Sequence, residues 1–196
     1  MKIAIIQYNA GNVQSVQFAL KRLGYEAVIS ADETILRNAD KVIFPGVGNA
    51  KAAMESLVES GLDSLIPTLT QPVLGICVGM QLLCNHSEEN DTRALGIIDT
   101  AVKKFPANAG MKVPQMGWNR IYNYQSKLLT GLPEQSFVYY VHSYYAELCE
   151  ATVATTDYLL PYSAIIQKNN FYGVQFHTEK SAAAGDQVLS NFLTLT

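Results

Sequence analysis

Charged residues are scarce in this chain, at 16% of 196 residues, and the 14 Lys and Arg fall short of the 17 Asp and Glu to leave a net charge of −3. No run of basic side chains is long enough to follow a phosphate backbone, which excludes nucleic acid as a partner. Cysteine is confined to Cys77, Cys84 and Cys149. That odd number, at spacings matching no zinc motif, provides neither a disulfide framework nor a metal site, and no cofactor is expected. No apolar stretch is long enough to cross a bilayer, so no membrane partner is expected. The opening Met1-Lys2 passes straight into a short β-like run, too brief for a signal sequence. A reducing cytoplasm is the expected compartment. Internal repeats, low-complexity tracts and linkers are missing too, so residues 1–196 are expected to form one domain.

What remains is a chain with 48% hydrophobic residues, ample for a sizeable core. Lys2–Tyr8 reads as a buried strand by its isoleucines. Val13, Val16, Leu20 and Leu23 then recur at three- and four-residue steps, one face of a helix that Gly24 ends. Glu26–Ser30 and Lys41–Phe44 are further strands, the second followed by Pro45-Gly46-Val47-Gly48 and a helix over 49–60. Strands alternating with helices predict an α/β unit on a mostly parallel sheet. Beyond Ala94 the pattern changes. "ALGIIDTAVKKF", "FVYYVHSYYAE" and "ATVATT" read as successive strands, and "SAIIQKNNFYGVQF" as a hairpin turning near Lys168-Asn169-Asn170. A helix near Asp186–Leu195 closes the chain. Antiparallel additions are therefore expected in the second half.

The stretch Gly75-Ile76-Cys77-Val78-Gly79 follows a strand-like "PVLGI". Read alone it suits a buried core cysteine slightly better than a nucleophile. It also fits a G-x-nucleophile-x-G elbow, where the chain turns so sharply from strand to helix that only glycine fits alongside. Three suggestive loops fall at the carboxyl ends of strands, where open α/β sheets place their sites: Pro45–Gly48, the turn at Cys77 and the segment after Phe176. In "FHTEKS", His177 and Glu179 are two residues apart, so an extended backbone points both to one face. A thiol nucleophile needs a base, and the base needs a group that fixes its tautomer. Cys77, His177 and Glu179 supply these types, and His86 and His142 are expected to lack such a partner, which makes them weaker candidates for the base. Acyl transfer also needs oxyanion donors, for which the Val78 N–H and the loop Gly46-Val47-Gly48 are suitably placed.

With these residues assembled, the chain resembles the triad-type class I glutamine amidotransferases over nearly its whole length, through "GICVGMQLL" and "FHTEKS". "PGVG", "LGIID", "VPQMGWN" and "YYVHSYY" are similar, more narrowly, to the glutaminase subunits of imidazole glycerol phosphate synthases. The resemblance implies a flavodoxin-like fold and hydrolysis of glutamine to glutamate and ammonia. It also implies a separate (β/α)8-barrel cyclase, forming a heterodimer, that uses the ammonia to make imidazole glycerol phosphate and an aminoimidazole carboxamide ribotide. By the same resemblance Gln81, Glu89, Ser143 and Tyr144 hold the glutamine, and Trp118, Tyr139, Tyr140 and Lys180 face the cyclase. Gln7 stands where that family usually has Asp, Gln115 where it has His, and Thr178 where it has Pro. Without proline's fixed φ, packing must hold the His177–Glu179 turn. Two alternatives stay open at this level: an amidotransferase serving anthranilate or aminodeoxychorismate synthesis, and a catalytically silent scaffold.

Overall fold

The computed structural model describes residues 1–9, 12–107 and 110–195. Strands and helices alternate first: β1 (Ile3–Ile6), α1 (Val13–Arg22), β2 (Ala27–Ser30), α2 (Glu33–Arg37), β3 (Lys41–Gly46), α3 (Ala50–Glu59), α4 (Leu62–Leu65), β4 (Val73–Cys77) and α5 (Val78–Leu82). Strands then dominate: β5 (His86–Ser87), β6 (Thr92–Arg93), β7 (Ala101–Lys104), β8 (Gln115–Arg120), β9 (Phe137–His142), β10 (Tyr144–Ala146), β11 (Thr152–Tyr158), β12 (Leu160–Lys168) and β13 (Phe171–Val174). Helix α6 (Ala182–Thr194) follows a single 3-10 turn at Thr178–Lys180.

The main sheet has seven strands in the order β11-β12-β13-β4-β3-β1-β2. Its five members from β13 to β2 run parallel, and β11 and β12 add to the edge antiparallel. Strands β1, β3 and β4 are buried along their whole length, as expected where helices cover both faces of a parallel sheet. One apolar cluster runs from Ile3 to Leu193 and takes in both halves of the chain. Helix α1 turns Val16, Ala19 and Leu20 inward, and Gly24 takes φ +84° just past its end, the left-handed position its sequence signal called for. The mostly parallel sheet with antiparallel additions is the architecture expected.

Several elements differ from expectation. In "ALGIIDTAVKKF" only β7 is a strand. "FVYYVHSYYAE" breaks at Ser143 into β9, paired with β8, and β10, paired with β7 in a second sheet of order β10-β7-β5-β6. The break allows one segment to serve two sheets. Helix α6 begins four residues earlier than its apolar spacing suggested, at Ala182.

The turn from β4 into α5 rests on backbone packed against backbone. A Cβ on Gly79 would lie 1.9 Å from the Phe44 carbonyl oxygen and 3.0 Å from its carbon. No side-chain rotation relieves that clash, so β3 and α5 must part. Gly79→Ala is expected to cost about 3 kcal/mol or more and to lower Tm by roughly 6–12 °C. A thermal melt at the parental Tm would refute this account of the glycine.

Candidate active site

Strands β13, β4 and β3 are parallel neighbours, so the segment after Val174, the turn at Cys77 and the Pro45–Gly48 loop open on one edge of the sheet. Gly46 lies directly in register with Cys77. The three loops flagged in the sequence therefore meet, and a cavity of about 350 Å³ lies among them. Val47, Gly48, Cys77, Val78, Glu89 and His177 are among its lining residues.

Cys77 ends β4 with φ 53° and ψ −111°, a backbone conformation that L residues seldom adopt. It directs the thiol to the cavity although the residue is only 3% exposed. Helix α5, which it introduces, spans just five residues, and the Cys77 side chain accepts no hydrogen bond from its N–H groups.

His177 and Glu179 do not share an extended backbone. The chain enters the 3-10 turn immediately after His177, and that tighter winding still places Nδ1 of His177 2.8 Å from Oε1 of Glu179. Both side chains are buried, at 6% and 2% exposed. Burial by itself lowers the His177 pKa; the adjacent Cys77 sulfur and Glu179 carboxylate together outweigh it and push the imidazole up to about 10. Such a group favours the imidazolium.

The turn is held by packing, as a turn without proline requires. Thr178 is completely buried. Gly185 of α6 lies so close that a Cβ there would stand 1.9 Å from the Thr178 carbonyl oxygen. Ser181 ties the turn to β9: its Oγ accepts from the Tyr139 N–H at 2.9 Å and donates to the His177 carbonyl at 2.6 Å. The hydroxyl of Tyr8 donates to the Pro45 carbonyl at 2.8 Å and pins the base of the Gly46–Gly48 loop.

Of the remaining histidines, only His86 differs from expectation. His86 does have a carboxylate neighbour, Asp91 at 2.8 Å, but the pair lies on the surface and His86 does not line the cavity. His142 lines it, yet both ring nitrogens are engaged, Nδ1 by the Tyr144 carbonyl at 2.7 Å and Nε2 by the Tyr162 hydroxyl at 3.1 Å. Burial lowers its pKa to about 4, which leaves a neutral ring.

Gln81, Ser143 and Tyr144 also line the cavity. Glu89 is half-buried, and one of its oxygens accepts from the Ala50 N–H at 2.7 Å, at the start of α3. Of the four residues expected to face a partner, Trp118 is 52% exposed, and its ring meets that of Tyr139 edge-on across the β8–β9 pair, 5.8 Å between centroids. Lys180 is exposed at the cavity's rim. Tyr140 is a correction. It is fully buried, because its strand sends alternate side chains to opposite faces, and it packs on Phe176 and Tyr162 rather than on any partner.

Sequence reasoning missed Gln175, which is fully buried beside the nucleophile, with Nε2 3.8 Å from Cys77 Sγ. A polar residue between Val174 and Phe176, where a strand ends in an apolar run, was the available signal.

A glycine-framed thiol on a strained elbow and an imidazole on one cavity, with a buried carboxylate against the imidazole, define an acyl-transferring cysteine enzyme. A family model described as "Glutamine amidotransferase class-I" matches residues 4–195, and the chain belongs to that family. It is 57% identical over 196 residues, covering all of both chains, to the imidazole glycerol phosphate synthase subunit HisH of Bacteroides thetaiotaomicron. It is 46% identical over 197 residues, again along the full length of both, to the protein of that name from Escherichia coli K12. Among solved structures, a glutamine amidotransferase shares the fold with a TM-score of 0.75 at 18% identity, covering 98% of this chain and 97% of that one. Another glutamine amidotransferase, from Thermotoga maritima, does so with a TM-score of 0.64 at 16% identity, covering 98% and 82%. Among the described residues, no helix is long and apolar enough to cross a membrane.

Proposed function

We propose that the chain, acting as one amidotransferase domain in the cytoplasm, is the glutaminase subunit of an imidazole glycerol phosphate synthase. Its partner is a (β/α)8-barrel cyclase that receives the ammonia. The Cys77 thiolate attacks the carboxamide carbon of glutamine. The Val78 N–H and an N–H of the Gly46–Gly48 loop receive the oxyanion, and His177 protonates the departing nitrogen as ammonia. The resulting thioester is cleaved by water that His177 deprotonates; glutamate leaves and the thiol is restored. Glu179 orients the ring and stabilises its charged form. Glu89 meets the substrate ammonium, and Gln81, Ser143 and Tyr144 complete the pocket.

The observation that carries this reading is the buried His177–Glu179 pair at 2.8 Å, whose imidazole lines the same cavity as the Cys77 elbow. The partner surface is supported by the outward face of the β8–β9 pair, where Met116 is 66% exposed, Trp118 52% and Phe137 50%. That much apolar area beside Lys180 at the cavity's rim suits a docked protein, because interface cores are enriched in aromatics and methionine.

Ammonia released into water is mostly protonated and lost as a nucleophile. The two glycines flanking Val47 suit a loop whose N–H turns to the oxyanion only when the loaded partner favours that state. Glutamine turnover is expected to rise about 10- to 100-fold when cyclase and its nucleotide ligand are both added. Equal rates for the chain alone, with cyclase, and with cyclase plus nucleotide would rule the reading out.

A further inference from the structure

The triad leaves one buried polar side chain at the sulfur without a role, and its orientation can be deduced. The Tyr144 carbonyl can only accept hydrogen bonds. Gln81 approaches it at 2.8 Å, so Gln81 must present its amide nitrogen there. The same nitrogen lies 2.9 Å from the side chain of Gln175, and its second N–H requires an acceptor, the Gln175 Oε1. With that oxygen committed, the Gln175 NH2 is the group left facing Cys77 Sγ, at 3.8 Å. Turning Gln175 over would set one NH2 against another and aim a carbonyl oxygen at the sulfur. Gln175 is fully buried and Gln81 is 3% exposed, so water does not blur this polarity. The backbone is held as well, since the Gln175 N–H donates to the Ala164 carbonyl at 2.9 Å. The starting point is fixed in turn by His142, which engages the same Tyr144 carbonyl.

We infer that Gln175 is a positioning residue that favours the Cys77 thiolate, through a relay running from the Tyr144 carbonyl by way of Gln81. A donor aimed at a sulfur stabilises the charged form more than the neutral one, because charge-assisted hydrogen bonds are roughly twice as strong. The relay also occupies both N–H groups of Gln81, which leaves only its Oε1 to meet a substrate. This rests on Cys77 being the nucleophile, and its test does not depend on turnover.

Alkylation of Cys77 by iodoacetamide, read as the Cys77 peptide adduct by mass spectrometry across pH, reports the thiolate directly. Gln175→Met and Gln175→Leu remove the donor at similar bulk, and Gln81→Met breaks the relay without touching the sulfur. In each, the midpoint of the alkylation profile is expected to rise by about one pH unit, a roughly tenfold slower reaction below the parental midpoint. A residue that only filled space would change Tm and leave the midpoint in place, so parental midpoints in the folded variants overturn the proposal. If none of the variants folds, the parent carries the reading: its Gln175 side-chain amide resonances must shift at the Cys77 midpoint, and static resonances overturn it. Failure of the glutaminase assay leaves this result intact, and the reverse holds too.

Discussion

Replacement of Cys77 by Ala or Ser is expected to lower glutamine hydrolysis by about 10⁴- to 10⁶-fold while leaving cyclase-dependent synthesis from added ammonium salts unchanged. The asymmetry follows from where Cys77 sits. Its sulfur faces the cavity from a φ of 53° at the end of β4, and the elbow around it rests on close backbone approaches at Gly46, Gly75 and Gly79, none of which the substitution alters. Removing the sulfur therefore deletes the attacking atom and keeps the scaffold. Serine keeps an oxygen at the site, but its hydroxyl does not ionise beside this imidazole as a thiol does. The check is a paired assay of the complex, with glutamine in one arm and ammonium chloride in the other. Loss of both activities would assign the cysteine to the core.

The second large effect is expected from Glu179→Gln, with a fall in kcat/KM for glutamine of about 10²- to 10⁴-fold. The amide keeps the carboxylate's shape but not its charge. Oε2 of Glu179 is buried with no hydrogen-bond partner among the described residues, so an amide NH2 placed there would add an unsatisfied donor. Turning the NH2 to His177 Nδ1 instead would select the wrong tautomer. The pH dependence has a definite sign. The folded-state pKa of His177 lies above its unfolded value, so its contribution to stability is complete below about pH 6.5 and is lost as pH rises through about 10. Without the carboxylate, burial is opposed by the sulfur alone and the folded pKa falls, so the contribution is smaller and its loss is complete at lower pH. Melting curves between about pH 6 and 11, together with kcat/KM in the complex, test both points. Variant kinetics within twofold of the parent would remove Glu179 from the mechanism.

Much of this was legible in the primary structure because the signals were local. An isoleucine run marked β1, apolar steps of three and four marked α1, and Gly24 marked its end. The elbow was legible as two glycines framing Cys77, since a backbone that meets Phe44 at 1.9 Å from a would-be Cβ admits no other residue. What was missed depends on partners far away in the chain. Strands β5 and β6 have two residues each, too short for any periodicity. Helix α2 carried a cap signal, Asp32 accepting from the Ile35 N–H at 3.0 Å, but its five residues hold one buried side chain, Leu36. Tyr139 and Tyr140 are adjacent and chemically alike, and only the packing of β9 decides which one faces outward. The His177–Glu179 turn was placed correctly in space for the wrong backbone reason. Gln175 escaped notice because its meaning lies in a carbonyl 31 residues earlier, at Tyr144.

The bracing of the Thr178 turn by Gly185 and Ser181 has a consequence for biosynthesis on the ribosome. The nucleophile emerges 100 residues before its base (positions 77 and 177), and the base is anchored only once α6 has been translated and has docked. A growing polypeptide thus carries its reactive sulfur through most of its synthesis without the machinery to consume glutamine. Catalytic competence arrives with the last helix, which makes the assembly of the fold its own safety catch.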